Sequence, residues 1–241
     1  KNIKSKNFIT DNKKINIADK NPFYGEYTFH YWLWKNNMEI FNDKDWVGFC
    51  AYRRFWIDKE RDGDTEISLK DAILKETPKV WDNYDVILAN KVSMSNIKMI
   101  KIIKYGKQAL LKNPKSILKK YRNIRFQFDM FHGIGVLDKA INLLDKEDRE
   151  DFKKYVDNNN SFNPANLFIC RSRKLMNDYY TTIFKWFEKC EKVFGFNLQG
   201  YGKIRIYAFL AERYLPFWFN KYAKCLDWPI LFNDLTKENL K

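Results

Sequence analysis

Two adjacent arginines, Arg53 and Arg54, follow the mainly apolar run Val47-Gly48-Phe49-Cys50-Ala51-Tyr52. Two guanidinium forks side by side can each grip phosphate oxygens through paired hydrogen bonds, which lysine cannot imitate. Such a pair, with Tyr52 beside it, suits the charge that builds on a departing diphosphate; the competing reading is that one arginine pairs with a carboxylate such as Glu26 or Asp85. Glu26, Asp129 and Glu212 lie within or beside hydrophobic segments, where burial can raise a carboxyl pKa toward general-base work. A structural ion pair is the bland alternative for each. His132, in Phe131-His132-Gly133-Ile134-Gly135, is a candidate base or ligand contact beside two flexible glycines. The rings of Phe23, Tyr24, Tyr27, Tyr31, Trp32 and Trp34 suit the C–H faces of sugars. Their helical spacing makes packing the simpler role for most, leaving one or two, Trp32 among them, to reach a ligand.

Other chemistries are excluded by what is missing. The two histidines and four cysteines lack the paired spacings of a zinc or redox site, so each cysteine is expected to be a small, reduced, buried hydrophobe. No metal ligands are assigned and no cofactor is expected, with carboxylate-held magnesium or manganese as the alternative. The Gly-x-Gly lacks the third glycine of a dinucleotide fingerprint, and no P-loop, nucleophile elbow, kinase or zinc-protease pattern occurs. With 44 Lys and Arg against 30 Asp and Glu, the net charge is +14. An anionic partner follows, whether nucleic acid, lipid headgroups or a phosphorylated small molecule. Lysine and asparagine are abundant throughout, so a compositional habit accounts for the charge equally well.

These residues need elements to hold them. At 241 residues and 17% aromatic, the chain can bury a single core and is not disordered. Residues 1–20 read as an irregular lead-in and 21–241 as one domain, with a basic helical excursion at about 94–125. Asn21-Pro22 marks a boundary, and Phe23 to Met38 has the spacing of a buried helix. Short apolar strands are expected at Val47 to Tyr52, Tyr84 to Ala89 and Leu167 to Cys170. Helices are expected at Ser68 to Glu76, Phe126 to Leu144, Asp145 to Val156, Arg173 to Val193 and Ile204 to Tyr222, the last bent at Pro216. Strands alternating with helices predict an α/β fold with a mostly parallel sheet flanked by helices. Ligands of such sheets bind at the carboxyl ends of the strands. That singles out Tyr52-Arg53-Arg54, Asn90-Lys91 and the polar neighbours of the Leu167 strand.

Several segments together resemble one family. Asn21-Pro22-Phe23-Tyr24-Gly25-Glu26-Tyr27-Thr28, Tyr31-Trp32-Leu33-Trp34-Lys35-Asn36 and Val47-Gly48-Phe49-Cys50-Ala51-Tyr52-Arg53-Arg54-Phe55 are similar to the series NPYYxELT, YWxWKN and IGxxHYRRYF of the domain-of-unknown-function 4422 glycosyltransferases. Tyr84-Asp85-Val86-Ile87-Leu88, Asn166-Leu167-Phe168-Ile169 (family NMFI) and Ala208-Phe209-Leu210-Ala211-Glu212-Arg213 (family GFLxER) follow in order. The similarity runs roughly from Asp11 to Tyr222. It implies a GT-A-like fold, a nucleotide-sugar donor and a glycan acceptor in bacterial capsule, exopolysaccharide or lipopolysaccharide synthesis. It also brings in Asn166 and Arg213 beside Glu212 as sugar or acceptor contacts. Two departures stand out. Only twenty residues precede the Asn-Pro motif, which implies a fold lacking part of the N-terminal nucleotide-binding half, and Ala51 replaces the family histidine, whose role would pass to His132. No Asp-x-Asp follows the Arg53 strand, so the leaving group is expected to be stabilised by arginine without metal.

The resulting expectation is a glycosyltransferase. Glu212, His132 and Asp129 are the catalytic candidates, Tyr52, Arg53, Arg54, Asn90 and Lys91 face the donor diphosphate, and Glu26, Trp32, Asn166 and Arg213 face sugar or acceptor. A lipid-linked acceptor and an anionic membrane surface are the further partners, and nucleic acid is not. The alternative is a non-catalytic basic adaptor binding nucleic acid or anionic lipid. Lacking any apolar run near 20 residues or an apolar start, the chain is expected in the cytoplasm, peripheral to the inner face of the membrane.

Overall fold

The structure, a computed structural model, describes residues 9–51, 53–63 and 68–233. The lead-in runs into a short helix, α1 (Asn21–Tyr24), with Pro22 in its first turn, where a missing N–H is harmless. Gly25 then breaks the expected Phe23 to Met38 helix, and α2 (Tyr27–Asn36) follows. Strands β1 (Val47–Gly48) and β2 (Arg54–Trp56) precede α3 (Leu69–Ala72), capped by Ser68. Strand β3 (Val86–Ala89) and the two-residue β4 (Val92–Ser93) lead into the basic excursion, α4 (Met99–Tyr105) and α5 (Lys107–Lys112). Next come α6 (Ile124–His132), α7 (Val136–Asn142) and α8 (Lys146–Asn158). Asn123 caps α6 by accepting the Phe126 N–H at 2.8 Å. Strands β5 (Ser161–Phe162) and β6 (Phe168–Cys170) precede the long α9 (Arg173–Phe194), capped by Ser172. The last described elements are α10 (Tyr201–Ile204), α11 (Ile206–Tyr222), β7 (Cys225–Trp228) and β8 (Ile230–Phe232).

The main sheet has the order β1-β6-β3-β7. Only β3 and β7 pair in parallel; β6 is antiparallel to both β1 and β3. The expected mostly parallel sheet is therefore corrected to a mixed one. Strands β1, β3 and β7 still run one way, and the reversed β6 between β1 and β3 makes those two pairings antiparallel. An apolar run such as Leu167 to Cys170 looks the same in either direction when both faces are buried, so composition does not encode its sense. Two small antiparallel pairs, β2 with β8 and β4 with β5, lie outside this sheet.

Alternation along the central strands feeds two cores. Val86 and Leu88 of β3 and Phe168 and Cys170 of β6 face the large cluster built with α2, α6, α8, α9 and α11. Ile87, Ala89, Leu167 and Ile169 face a smaller one with Trp56, Trp81 and Trp228. Helices α9 and α11 carry much of the large cluster, and α11 continues through Pro216, which cannot donate to the carbonyl of Glu212 one turn back. The excursion packs on α6 through its own cluster of Ile102, Ala109, Phe126 and Met130. The cysteines form no disulfides among the described residues; Cys170 and Cys190 are buried as expected, whereas Cys50 is exposed.

Candidate functional site

Phe49, just after β1, donates its N–H to the carbonyl of Phe168 at 3.2 Å, while Leu88 of β3 is opposite Phe168. The carboxyl ends of β1 and β3 therefore meet the chain entering β6. A cleft of about 400 Å³ opens beside this junction. Its walls are Cys50, Ala51, Arg53 and Arg54 after β1, Asn21, Gly25 and Glu26 from the α1–α2 turn, Ala165 and Asn166 before β6, and Arg205, Ala208, Phe209 and Glu212 at the start of α11. A wider depression of about 660 Å³ beside Trp46 and Thr77 carries only Lys44 and Asp45 as charged side chains, and offers no convergent polar set.

Two carboxylates and an amide organise the cleft. Glu26 Oε1 accepts from Asn166 Nδ2 at 2.7 Å, and the same amide donates to the Ala208 carbonyl at 3.1 Å. Glu26 Oε2 lies 3.7 Å from Arg205 Nη2. Glu212 Oε1 accepts the Ala165 N–H at 2.7 Å, and its Oε2 pairs with Arg213 Nη1. Ala165 and Asn166 both adopt positive φ, 74° and 54°. Asparagine tolerates that region, but alanine does so only under strain, and such strain concentrates at functional sites. Glu212 and Glu26 hold this bent segment from its two sides. Asn166 is buried, and its Oδ1 has no hydrogen-bond partner among the described residues.

Arg53 and Arg54 line the cleft as a pair. The Arg53 carbonyl accepts from Asn233, Arg54 enters the β2–β8 ladder opposite Phe232, and both guanidinium groups lie under 6 Å from the Phe232 ring, at 5.8 and 5.7 Å. Gly25 sits at φ 57°, and a Cβ there would come within 2.3 Å of Arg205 Nη2. Glycine thus admits the third arginine to the cleft.

Several predicted residues stand elsewhere. Trp32 is buried in α2 and donates its Nε1–H to the Lys13 carbonyl at 3.0 Å, pinning the lead-in instead of meeting a ligand. Asp129 is buried, paired with Lys112 at 3.2 Å and accepting the Gly135 N–H at 3.2 Å, so it locks the α6–α7 turn. Arg213 is enclosed at 2% exposure; it donates to the Phe209 carbonyl at 3.2 Å and Gln127 Oε1 at 2.8 Å, and backs Glu212 from behind. Burial pushes its pKa down and Glu212 opposes that. His132 lies one ring behind the cleft wall, stacked 4.0 Å from Phe209, with Nδ1 2.8 Å from the Gly202 carbonyl. Burial, aided by Arg213, lowers its pKa to about 3. Asn90 and Lys91 do sit at the end of β3, but they engage Asp62 at 3.4 Å and Asp227 at 3.5 Å and do not line the cleft. Tyr52 lies outside the described residues.

Arg205, Ala165 and Phe209 were absent from the predicted site. The place of Arg205 beside Glu26 depends on a tertiary contact. Among the described residues no three His, Cys, Asp or Glu side chains gather to hold a metal. Each cleft carboxylate instead has an arginine beside it, so the two do not fit a shared cation site. No described helix is long and apolar enough to cross a membrane.

The family described as a domain of unknown function (DUF4422) matches residues 1–223. Among solved structures the chain is similar to the apo form of WbbM, a bifunctional glycosyltransferase, at 21% identity and a TM-score of 0.66, over 93% of this chain and 39% of that one. The chain thus spans well under half of that protein's length, and what the likeness shows is a shared fold. No curated protein matches.

Proposed function

We propose that this chain, which belongs to the DUF4422 family, is a glycosyltransferase that moves a sugar from a nucleotide-sugar donor to a glycan acceptor. The observation that carries this reading is the convergence of Arg53, Arg54 and Arg205 with Glu26, Asn166 and Glu212 in one cleft beyond the carboxyl end of β1. In this reading the arginines hold the donor diphosphate. An acceptor hydroxyl attacks the anomeric carbon, the new C–O bond forms as the bond to the diphosphate breaks, and the electron pair leaves with the phosphate oxygen. The hydroxyl proton passes to a cleft carboxylate. Glu26 suits that role, because both oxygens of Glu212 are held, by the Ala165 N–H and by Arg213, whereas Glu26 Oε2 has the looser Arg205 contact, at 3.7 Å. Glu212 and Asn166 orient sugar hydroxyls. The acceptor class is a growing capsular, exopolysaccharide or lipopolysaccharide glycan carried on lipid at the inner face of the membrane.

A thermal-shift and calorimetric screen of UDP, GDP, CDP and ADP tests the donor site. One of them should raise the melting temperature saturably, by mass action equivalent to about 2.7 kcal/mol at a hundredfold excess over Kd. Arg53→Ala and Arg54→Ala should each weaken that binding by roughly 10- to 100-fold, as expected for loss of a charge-assisted hydrogen bond. Binding that survives EDTA supports arginine in the leaving-group role; dependence on added magnesium or manganese transfers the role to a metal. If no diphosphate binds, and association with anionic polymers instead collapses steeply with salt, the basic-adaptor reading replaces this one.

A further inference from the structure

The excursion from Lys98 to Arg122 holds nine Lys and Arg and no Asp or Glu. Among the described residues only Lys112 of these is tied to carboxylates, Asp129 and Asp138, and Arg122 is buried. The other seven, Lys98, Lys101, Lys104, Lys107, Lys115, Lys119 and Lys120, are all exposed. Aliphatic and aromatic side chains are exposed between them. Eight of the eighteen exposed large hydrophobics among the described residues fall between Met99 and Tyr121, with Ile100 at 72% and Leu111 at 81%. Apolar groups in that density, interleaved with a single sign of charge, are unusual on a surface that meets only water.

The platform behind them is well anchored. Ile102 and Ala109 point inward onto Phe126 and Met130. Arg122 donates to the carbonyls of Ile97 at 2.7 Å, Ser116 at 3.0 Å and Ile117 at 2.9 Å, tying the turns on both sides of α4 and α5 to one buried cation. Inward-facing and outward-facing apolar residues are therefore largely distinct sets; of the exposed ones Tyr105 touches the Phe131 ring and Met99 meets Arg122, while Ile100, Ile103, Leu111, Ile117 and Leu118 stand exposed.

We infer that this face docks on an anionic lipid bilayer, with Ile100, Ile103, Leu111, Ile117 and Leu118 entering the headgroup region while the surrounding lysines meet lipid phosphates. Charge complementarity selects an anionic partner, and the aliphatic residues select a bilayer over nucleic acid, which would favour stacking rings over branched alkyl groups. The face shares no residue with the cleft, so its failure would leave the transferase reading standing.

Sedimentation with phosphatidylglycerol-containing vesicles, with neutral phosphatidylcholine vesicles and with single-stranded DNA as competitor tests this. The protein should bind the anionic vesicles and lose them at high salt. Lys101→Glu/Lys104→Glu/Lys107→Glu should lower partition by at least about tenfold, and Ile100→Ser/Leu111→Ser should lower it with the charge intact. Lys146→Glu/Lys153→Glu/Lys154→Glu on α8, an equal change of charge elsewhere, should retain most of it. Hydrogen exchange of the unmodified protein gives a readout independent of any variant's folding, and vesicles should protect residues 98–121. Equal binding to neutral vesicles, equal losses from the α8 variant, displacement by DNA at equimolar phosphate or absence of protection in 98–121 would each overturn the inference.

Discussion

Glu212 has two tasks that conflict. Its carboxylate faces the cleft, yet it also neutralises Arg213, a guanidinium almost wholly enclosed by Phe128, Phe162 and Gln127. Breaking a buried pair by removing one charge leaves the other uncompensated, typically at about 3–5 kcal/mol. Glu212→Gln keeps an acceptor for the Ala165 N–H but strands Arg213. The expected loss is about 3 kcal/mol, or roughly 6–12 °C in melting temperature for a chain of this size. Glu212→Gln/Arg213→Met should recover most of it, since a matched apolar replacement of a buried pair is often neutral. A single variant that melts within a degree of wild type while losing transfer would make Glu212 a reacting group and not a support. Trp32, Asp129 and His132 illustrate the same ambiguity. In the sequence, a polar side chain amid apolar neighbours has one signature, whether it serves a ligand or a carbonyl of its own chain.

At the scale of elements, the cleft is made by turns held against strand ends. The α1–α2 turn depends on Gly25, whose φ of 57° and ψ of −134° disfavour any side chain. Gly25→Ala should cost about 1–3 kcal/mol of stability from the backbone alone. The added methyl would also push the tip of Arg205 away from Glu26. Diphosphate affinity should fall along with stability; if affinity is unchanged, Arg205 is not part of the donor site. The periodic elements were legible: α8, α9 and α11 begin and end within two residues of their sequence readings, and β3 and β6 stood out as apolar runs. Strand direction was not, nor were β7 and β8, because Cys225-Leu226-Asp227-Trp228 places a charge in mid-strand and Pro229 separates it from the short run Ile230-Leu231-Phe232. Arg53, Arg54, Glu26, Asn166 and Glu212 were legible as polar residues at the edges of apolar runs or on family motifs. Arg205 and Ala165 were not, since they reach the cleft through a contact between segments distant in the chain and a backbone twist that alanine does not advertise.

The whole molecule buries both of its histidines in neutral form. His30 stacks 4.1 Å from Phe49 and lies 3.2 Å from the Tyr180 hydroxyl, and burial lowers its pKa to about 3, as it does for His132. The unfolded chain takes up these protons near the ordinary value of about 6.5, whereas the folded chain resists until about 3. Their stabilising effect is therefore complete above about pH 6.5 and declines as pH falls toward 3, by about 1.4 kcal/mol per pH unit for each histidine. Together they should remove about 3 kcal/mol between pH 6.5 and 5. Urea unfolding at pH 7, 6 and 5 should show this loss, and His30→Phe or His132→Phe should each reduce its slope by about half. A wild-type slope retained in both variants would move the acid sensitivity to carboxylates. His132 stacks on Phe209 in the cleft wall and sits near the buried charge of Arg213. A proton on it would repel that guanidinium and loosen the wall, but the folded chain holds His132 neutral until about pH 3, so diphosphate binding should be lost together with global unfolding and not before it.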